Sequence, residues 1–363
     1  MMLTLFALLL ADPTVPGREW DTLSVRRSGL TQAQLEAALD EWDNRTGRTG
    51  IRRVAIVRRG KMLYRGRDST TATPLQSSTK SVTGTLLGLL VEDGIVTLET
   101  PARTIERRLA VLYPDVTLRH FATMTSGYSA EGDSRWLDDG RPENADWSHT
   151  PYTPAESLFD PGDAFAYWDE AQMMFGRVLT RAAGQDLLEL ARERLFRPIG
   201  ITTADWQAEG SLLVDGRRVP IRNGCTWLSM SAEDLARFGL LMRHRGRWDG
   251  RQLVPADWVD QATQPQVPVY LPVADTERSD IDGRGVYGFN WWVNGRRPDG
   301  SRLLPDLPPG AFFSAGLKHN VCLVIPEWDL VLVRLSVDSG NPPDGHAAVL
   351  NDVAKHLKPG DVR

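Results

Sequence analysis

The 363-residue sequence has little lysine, little cysteine and no long hydrophobic run. Of its 42 basic residues five are lysine, and all the others are arginine. The formal net charge of -5 gives no basic surface for nucleic acid, which is therefore excluded as an expected partner. No repeat of fixed period is present, which excludes solenoids and propellers. No Gly-x-Ser-x-Gly elbow occurs, which argues against an ordinary α/β-hydrolase.

The apolar stretch at residues 1–11 is too short to cross a bilayer. We interpret it as the apolar part of an export signal, although the positively charged start of such signals is missing. A packed terminus in a cytoplasmic protein is the alternative. We therefore expect an exported protein, periplasmic or secreted, without a stable membrane span.

The two cysteines, Cys225 and Cys322, are compatible with a disulfide or with two free buried thiols. The six histidines are scattered and lack ligand spacing, so we expect no metal and no organic cofactor. "GRGVYG" at residues 283–288 matches a dinucleotide fingerprint by letter. It opens a strand and no strand precedes it, so we discard the match.

Alternating and helical periodicities suggest a sheet assembled from both ends of the chain. A helix is predicted at 32–42, a hairpin at 54–57 and 62–64, and a helix from Ser77 that ends at Gly94. Residues 100–261 are rich in amphipathic helices, and strands return after 282. We predict an α/β sandwich from residues 20–99 and 262–363, with residues 100–261 inserted as a helical lobe and the groove between the lobes as the site.

Ser77 and Lys80 lie three residues apart at the start of a predicted helix and share one face. A serine hydroxyl attacks well only when another group takes its proton, which a lysine amine can do and a guanidinium cannot. Backbone N–H groups at the helix start can stabilise an oxyanion. The alternative is a capping serine followed by a solvated lysine.

Two further segments carry candidate site residues. Tyr167 and Asp169 follow a Pro-Gly turn and precede an amphipathic helix, so the phenol can relay a proton in a cleft; an ordinary core tyrosine is the alternative. Lys318, His319 and Asn320 follow Gly316 and precede a buried strand. They line the site or form a turn between strands.

Five segments, in order and spacing, resemble the serine β-lactamase and penicillin-binding-protein superfamily, and most closely its class C β-lactamase-like branch of esterases and peptidases. The resemblance covers residues from about 30 to the C-terminus. The segments are "SSTKSVTGTLLGLLVEDGIVTLETPA", "LRHFATMTSGY", "PGDAFAYWDEAQMMFGRVL", "SAEDLARFGLLM" and "SAGLKHNVCLVIPEWDLVLVRL".

The resemblance implies an antiparallel sheet flanked by helices, with an all-helical lobe inserted. It also implies that Ser77 is the acylated nucleophile, that Lys80 accepts its proton and that Tyr167 shuttles protons to the leaving group. Asp169 stands where the family has asparagine, and a carboxylate there favours a charged Lys80. This shifts the role of resting base toward Tyr167.

A second departure concerns the edge strand of the site, on which the family has Lys-Thr-Gly or His-x-Gly. We align Leu317, Lys318 and His319 with this element, so that His319 replaces the glycine and Asn320 or a neighbour supplies the second oxyanion N–H. We expect Asp169, Lys318, His319 and Asn320 to contact the substrate. Long side chains there narrow the groove, which disfavours a bulky β-lactam.

The sequence therefore predicts a serine acyl hydrolase that cleaves a small ester or amide through a Ser77 acyl-enzyme. The rival is a binding protein on the same fold that has lost catalysis, which Asp169 and His319 suggest. A nucleotide-dependent oxidoreductase rests only on the discarded glycine match.

Overall fold

The computed structural model describes residues 14–46, 50–131, 151–274, 279, 281–337, 340 and 344–360. The predicted export segment, 1–11, lies outside these ranges. The α-helices are α1 (Val25–Ser28), α2 (Gln32–Thr46), α3 (Thr79–Glu92), α4 (Leu118–Ala122), α5 (Asp169–Ala183), α6 (Leu187–Ala191), α7 (Ala232–Arg243), α8 (Ala256–Ala262) and α9 (Gly345–Lys355). Within the described ranges, no helix is both long enough and apolar enough to traverse a bilayer.

Short strands pair in one large sheet and three small ones. They are β1 (Val54–Arg58), β2 (Lys61–Arg65), β3 (Thr73–Pro74), β4 (Asp205–Trp206), β5 (Ala208–Val214), β6 (Arg217–Arg222), β7 (Leu228–Met230), β8 (Arg247–Trp248), β9 (Arg251–Gln252), β10 (Trp292–Val293), β11 (Phe312–Gly316), β12 (Asn320–Ile325) and β13 (Leu330–Arg334). The large sheet has the order β10-β11-β12-β13-β1-β2, and every pairing in it is antiparallel. The predicted antiparallel sheet built from both termini is confirmed.

The large sheet is covered on both faces, which explains why its central strands, β1, β12 and β13, are buried at every position and mostly apolar. In β1, Val54 and Ile56 join the core cluster that includes α2 and α9, whereas Ala55 and Val57 join the cluster that includes α3 and α7. This two-residue alternation is the ordinary geometry of a strand. The site therefore lies on a scaffold buried from both sides.

Helix α7 approaches the large sheet closely through Gly239. A Cβ at this position would lie 2.7 Å from both Cys322 Sγ and Val331 Cγ1, so only glycine permits the contact. The predicted helical lobe, 100–261, thus contains a helix that packs on the sheet. The same segment also contains β4 to β9, strands that the helical periodicity did not predict.

Two local expectations change in the structure. The stretch at 285–295, the first of those in which strands are predicted to return after 282, contributes only β10, because Asn290 has a positive φ of 59° and Tyr287 folds back to bridge Trp292. Of the two alternatives for the cysteines, a disulfide or two free thiols, the structure shows the second, since Cys225 and Cys322 are free and buried. Burial raises the pKa of both thiols, so both stay protonated.

Candidate active site

The hydroxyl of Ser77 lies in a single 3₁₀ turn, Gln76–Ser78, that leads directly into α3. Gln76 has a φ of 54°, a left-handed conformation that is strained for a side chain of this kind. Ser78 Oγ donates to the Asn320 carbonyl over 2.9 Å and ties the turn to β12. Ser77 itself is half-buried.

Lys80 lies one helical turn further on and is almost completely buried, with 2% of its side chain exposed. Its ammonium donates to Ser77 Oγ over 2.8 Å and to Asp169 Oδ1 over 2.7 Å. It also lies 4.5 Å from the centre of the Tyr167 ring. The structure thus brings together all four residues of the first two predicted site segments, Ser77, Lys80, Tyr167 and Asp169.

The charge state of Lys80 follows from two opposing effects. Burial lowers the pKa of the ammonium, but the Asp169 carboxylate and then Tyr167 act in the opposite direction, and the resulting pKa lies above the ordinary value for lysine. Lys80 is therefore charged at rest. This is the consequence expected of aspartate in place of asparagine.

Tyr167 is held by aromatic neighbours on one side and by polar groups on the other. Its ring stacks on Trp292, with centroids 5.6 Å apart, and meets Tyr287 edge-on at 6.2 Å. Its phenol is hydrogen-bonded to Ser77 and Lys80. Burial raises the phenol pKa, and Lys80 and the hydrogen bonds offset this only in part, so the phenol is protonated at neutral pH.

At Gly316, strand β11 runs beside the 3₁₀ turn that contains Ser77. A Cβ on Gly316 would lie 2.4 Å from the Leu75 carbonyl oxygen and 2.9 Å from the Ser77 nitrogen, so the close approach requires glycine. β10 pairs with β11 only through Phe312 and Phe313, so among the described strands residues 314–316 form an open edge beside Ser77. Gly316 is the glycine of the site's edge strand.

The alignment of Leu317, Lys318 and His319 with the edge-strand element is therefore wrong. These residues form a tight turn after β11, in which Lys318 and His319 have φ values of 66° and 58°. The strand element is Ser314, Ala315 and Gly316. In this register, three residues earlier, Gly316 stands where the resemblance implies glycine, and Ser314 stands where it implies lysine or histidine.

The predicted substrate contacts of Lys318, His319 and Asn320 are corrected for the same reason. Lys318 Nζ donates to the Val337 carbonyl over 2.6 Å. The His319 ring is fully buried and accepts a hydrogen bond from Trp42 Nε1 at 3.3 Å. Its side chain cannot narrow the groove from there.

Asn320 has a structural role in this turn. Its Nδ2 donates to the carbonyls of Leu317 and Pro74, over 2.9 and 3.2 Å, and its Oδ1 accepts from Ser336 N. These bonds hold the turn after β11 against Pro74, at the start of the segment that leads to Ser77. The sequence missed Trp292 and Gly316 as site residues; the small-residue run "SAG" directly before the turn was the available signal for Gly316.

No group of three or more His, Cys, Asp or Glu side chains in the described ranges is arranged to hold a metal ion. The polar groups that converge at Ser77 are a hydroxyl, an ammonium, a phenol and a carboxylate. Such a set can move protons around a nucleophile.

Comparison with known proteins gives one family and several related structures. The model of the Beta-lactamase family matches residues 33–355. An uncharacterised protein from Alkalihalophilus pseudofirmus is 22% identical over 279 residues, which cover 72% of this chain and 73% of that protein.

Solved structures share the fold at low sequence identity. A Bacillus anthracis protein assigned as a 6-aminohexanoate-dimer hydrolase has a TM-score of 0.66 and 18% identity, over 95% of this chain and 88% of its own. EstCE1, a hydrolase with promiscuous acyltransferase activity, has a TM-score of 0.65 and 15% identity, over 92% of this chain and 98% of its own. A penicillin-binding-protein homologue from Caulobacter crescentus has a TM-score of 0.65 and 16% identity, over 90% of this chain and 98% of its own.

The ion pair with Asp169 predicts how Lys80 titrates. In Asp169→Asn the loss of the carboxylate should lower the Lys80 pKa by about one pH unit or more, because an opposite charge at this distance favours the ammonium. With five lysines in the chain, NMR of ¹³C-labelled lysine side chains can follow each one, and Lys80→Arg assigns the signal.

Wild-type Lys80 should stay charged up to the highest pH at which the protein remains folded. Asp352→Asn is the matched control, since Asp352 pairs with Lys355 at 2.7 Å and its loss should leave the Lys80 titration unchanged. Identical Lys80 titrations in wild type and Asp169→Asn would contradict the electrostatic account.

Proposed function

Because the chain belongs to the beta-lactamase family, we propose that it is a serine acyl hydrolase that cleaves esters or amides through a covalent Ser77 acyl-enzyme. The observation that carries this proposal is the hydrogen-bonded cluster of Ser77 Oγ, Lys80 Nζ and the Tyr167 phenol beside the open edge of β11.

In the acylation step, Ser77 Oγ attacks the carbonyl carbon of the substrate. The Ser77 proton passes to the Tyr167 oxygen as the phenol's own proton passes to the leaving-group atom, so Tyr167 ends the step protonated. Lys80 remains an ammonium and stabilises the negative charge that develops on the two oxygens. This route needs no neutral lysine, in agreement with the raised Lys80 pKa.

In the deacylation step the same path runs in reverse. Water attacks the acyl carbonyl and gives a proton to Tyr167, and the phenol returns a proton to Ser77 Oγ as the acyl–oxygen bond breaks. The products are the free acid and the original site. Asp169 keeps Lys80 in position throughout through the 2.7 Å contact.

The oxyanion is held by two backbone N–H groups, those of Ser77 and Leu317. We assign Leu317 in place of the donor near Asn320 that the sequence suggests, because Gly316, the residue before it, packs against the Ser77 amide: a Cβ on Gly316 would lie 2.9 Å from the Ser77 nitrogen. Asn320 has its backbone carbonyl bonded to Ser78 and its side chain bonded to the turn.

The substrate class is an ester or amide. The names of two structural neighbours, a 6-aminohexanoate-dimer hydrolase and the hydrolase EstCE1, support it by analogy of fold. The sequence disfavoured β-lactams because the His319 side chain was expected to narrow the groove. In the structure His319 is buried behind the strand, so this reason no longer applies. β-Lactams therefore belong in the substrate panel beside esters, amides and D-peptides.

The test of this function compares wild type with Ser77→Ala on that panel. We expect Ser77→Ala to lose at least about a thousandfold in kcat/KM on every substrate that wild type turns over, because removal of a catalytic nucleophile has this effect in related chemistry. Lys318→Arg is the control and should keep its activity, since Lys318 is bonded to Val337.

The rival function, a binding protein without catalysis, makes the opposite prediction. Wild type and Ser77→Ala would be equally inert across the panel, and one ligand would raise the melting temperature of both. Two departures favour the rival, Asp169 and, in the corrected register, Ser314 at the position of the family's lysine or histidine. His319 no longer does so, because its side chain is buried away from the groove.

The relay predicts that Tyr167→Phe affects poor leaving groups most. The variant keeps the ring on Trp292 but cannot protonate a leaving atom, so we expect about a hundredfold loss in kcat/KM for an amide or alkyl ester and a much smaller loss for a nitrophenyl ester. Tyr128→Phe, which removes a buried hydroxyl bonded to Pro151, should leave both rates near wild type. An equal loss for both leaving groups would contradict the role of Tyr167 as their proton donor.

A further inference from the structure

The carbonyl of Gly316 makes a hydrogen bond that the proposed reaction does not by itself require. His346, the second residue of α9, places Nε2 3.1 Å from this oxygen, and the imidazole is 5% exposed. A carbonyl oxygen can only accept a hydrogen bond, so the proton of this contact belongs to His346 Nε2. The C-terminal helix thus contacts the edge strand of the site from behind.

The geometry of a trans peptide links this contact to catalysis. The C=O of Gly316 and the N–H of Leu317 belong to one peptide unit and point in opposite directions. If His346 fixes the carbonyl on one side, the N–H must face the other. The position of Gly316 against the Ser77 nitrogen places Ser77 near this peptide.

We propose that His346 is a positioning residue that aims the Leu317 N–H at the oxyanion. This inference rests on the proposed acyl-hydrolase function and adds a residue of this chain's own to it. His346 does not touch the substrate. It acts through the Gly316–Leu317 peptide.

The turn that follows this peptide does not fix its orientation alone. Lys318 and His319 both adopt left-handed conformations, which cost free energy for residues with a side chain and need outside support. Arg334, fully buried, supplies part of it by donating to the carbonyls of both residues over 3.1 Å. His346 adds a contact from α9 to the Gly316 carbonyl itself.

The imidazole of His346 is in turn held by a second buried histidine. The His319 ring stacks on it, with centroids 5.4 Å apart and planes 25° apart. Because Trp42 Nε1–H donates to His319 Nε2, the His319 proton lies on Nδ1 and the ring is neutral. Burial, and then His346 and Arg334, lower the His319 pKa well below its ordinary value, so the ring stays neutral.

The test compares two substitutions of His346 with a control on the same helix. His346→Phe keeps a ring of similar size without a donor, whereas His346→Gln keeps an N–H donor. His356→Phe, at the other end of α9, controls for the change of ring. The measurements are kcat and KM for a nitrophenyl ester, and the isotope-edited infrared band of the acyl-enzyme carbonyl made with the ¹³C-labelled ester.

We expect His346→Phe to lower kcat about ten- to a hundredfold, as small misplacements of catalytic groups do, with KM within about twofold. Its acyl carbonyl band should move to higher frequency, because weaker hydrogen bonding to the oxygen strengthens the C=O bond. His346→Gln should restore most of both values, and His356→Phe should match wild type. A general loss of stability would not move the carbonyl band in this specific way.

Two results overturn different parts of the account. If wild type forms no Ser77 acyl-enzyme, the proposed function fails and this inference fails with it. If His346→Phe forms the acyl-enzyme at the wild-type rate with an unshifted band, the inference alone fails. Should His346→Phe not fold, His346→Asn, whose amide is too short to reach Gly316, takes its place with the same expected result.

Discussion

The buried ion pair between Lys80 and Asp169 is the constraint around which the site is arranged. A buried ammonium is very unfavourable without a partner, and this one joins the first turn of α3 to the first residue of α5. The pair keeps Lys80 charged and leaves its remaining hydrogens for Ser77 and Tyr167. In the proposed mechanism this makes the lysine a fixed charge and the phenol the group that moves protons.

The large sheet supplies the other half of the site. Its strands come from both ends of the chain, so the edge strand β11 is supported by α2 and α9, which are distant in sequence from the nucleophile. His346 from α9 and Trp42 from α2 meet behind the turn after β11. The proposed nucleophile, proton relay and oxyanion peptide thus belong to different segments that only the folded chain brings together.

The sequence predicted the residues whose relation is local or carried by a recognisable segment. Ser77 and Lys80 share a helix face because they are three residues apart, and Tyr167 and Asp169 stand together at the start of α5. The edge strand was misplaced because β11 is only five residues long and the turn after it has two left-handed residues without glycine. A sequence pattern does not show such a turn, so the edge-strand element was placed three residues too late, at 317–319 instead of 314–316.

The contact of His346 with Gly316, and with it the role proposed for His346, could not be predicted at all, because the partner is a backbone carbonyl 30 residues away and no motif marks it. The same holds for Trp292, whose contact with Tyr167 depends on how the segment before β10 folds back on itself. Such contacts arise from packing between elements. Sequence periodicity within one element carries no information about them.

The most direct test of the central claim, an activated Ser77 at the centre of the proton-transfer cluster, is the site of covalent labelling. Wild-type protein treated with a fluorophosphonate and digested should carry the adduct on Ser77, as identified by mass spectrometry. Ser77→Ala should stay unlabelled. A catalytically active wild-type protein that is labelled on another residue, or not at all, would contradict the account.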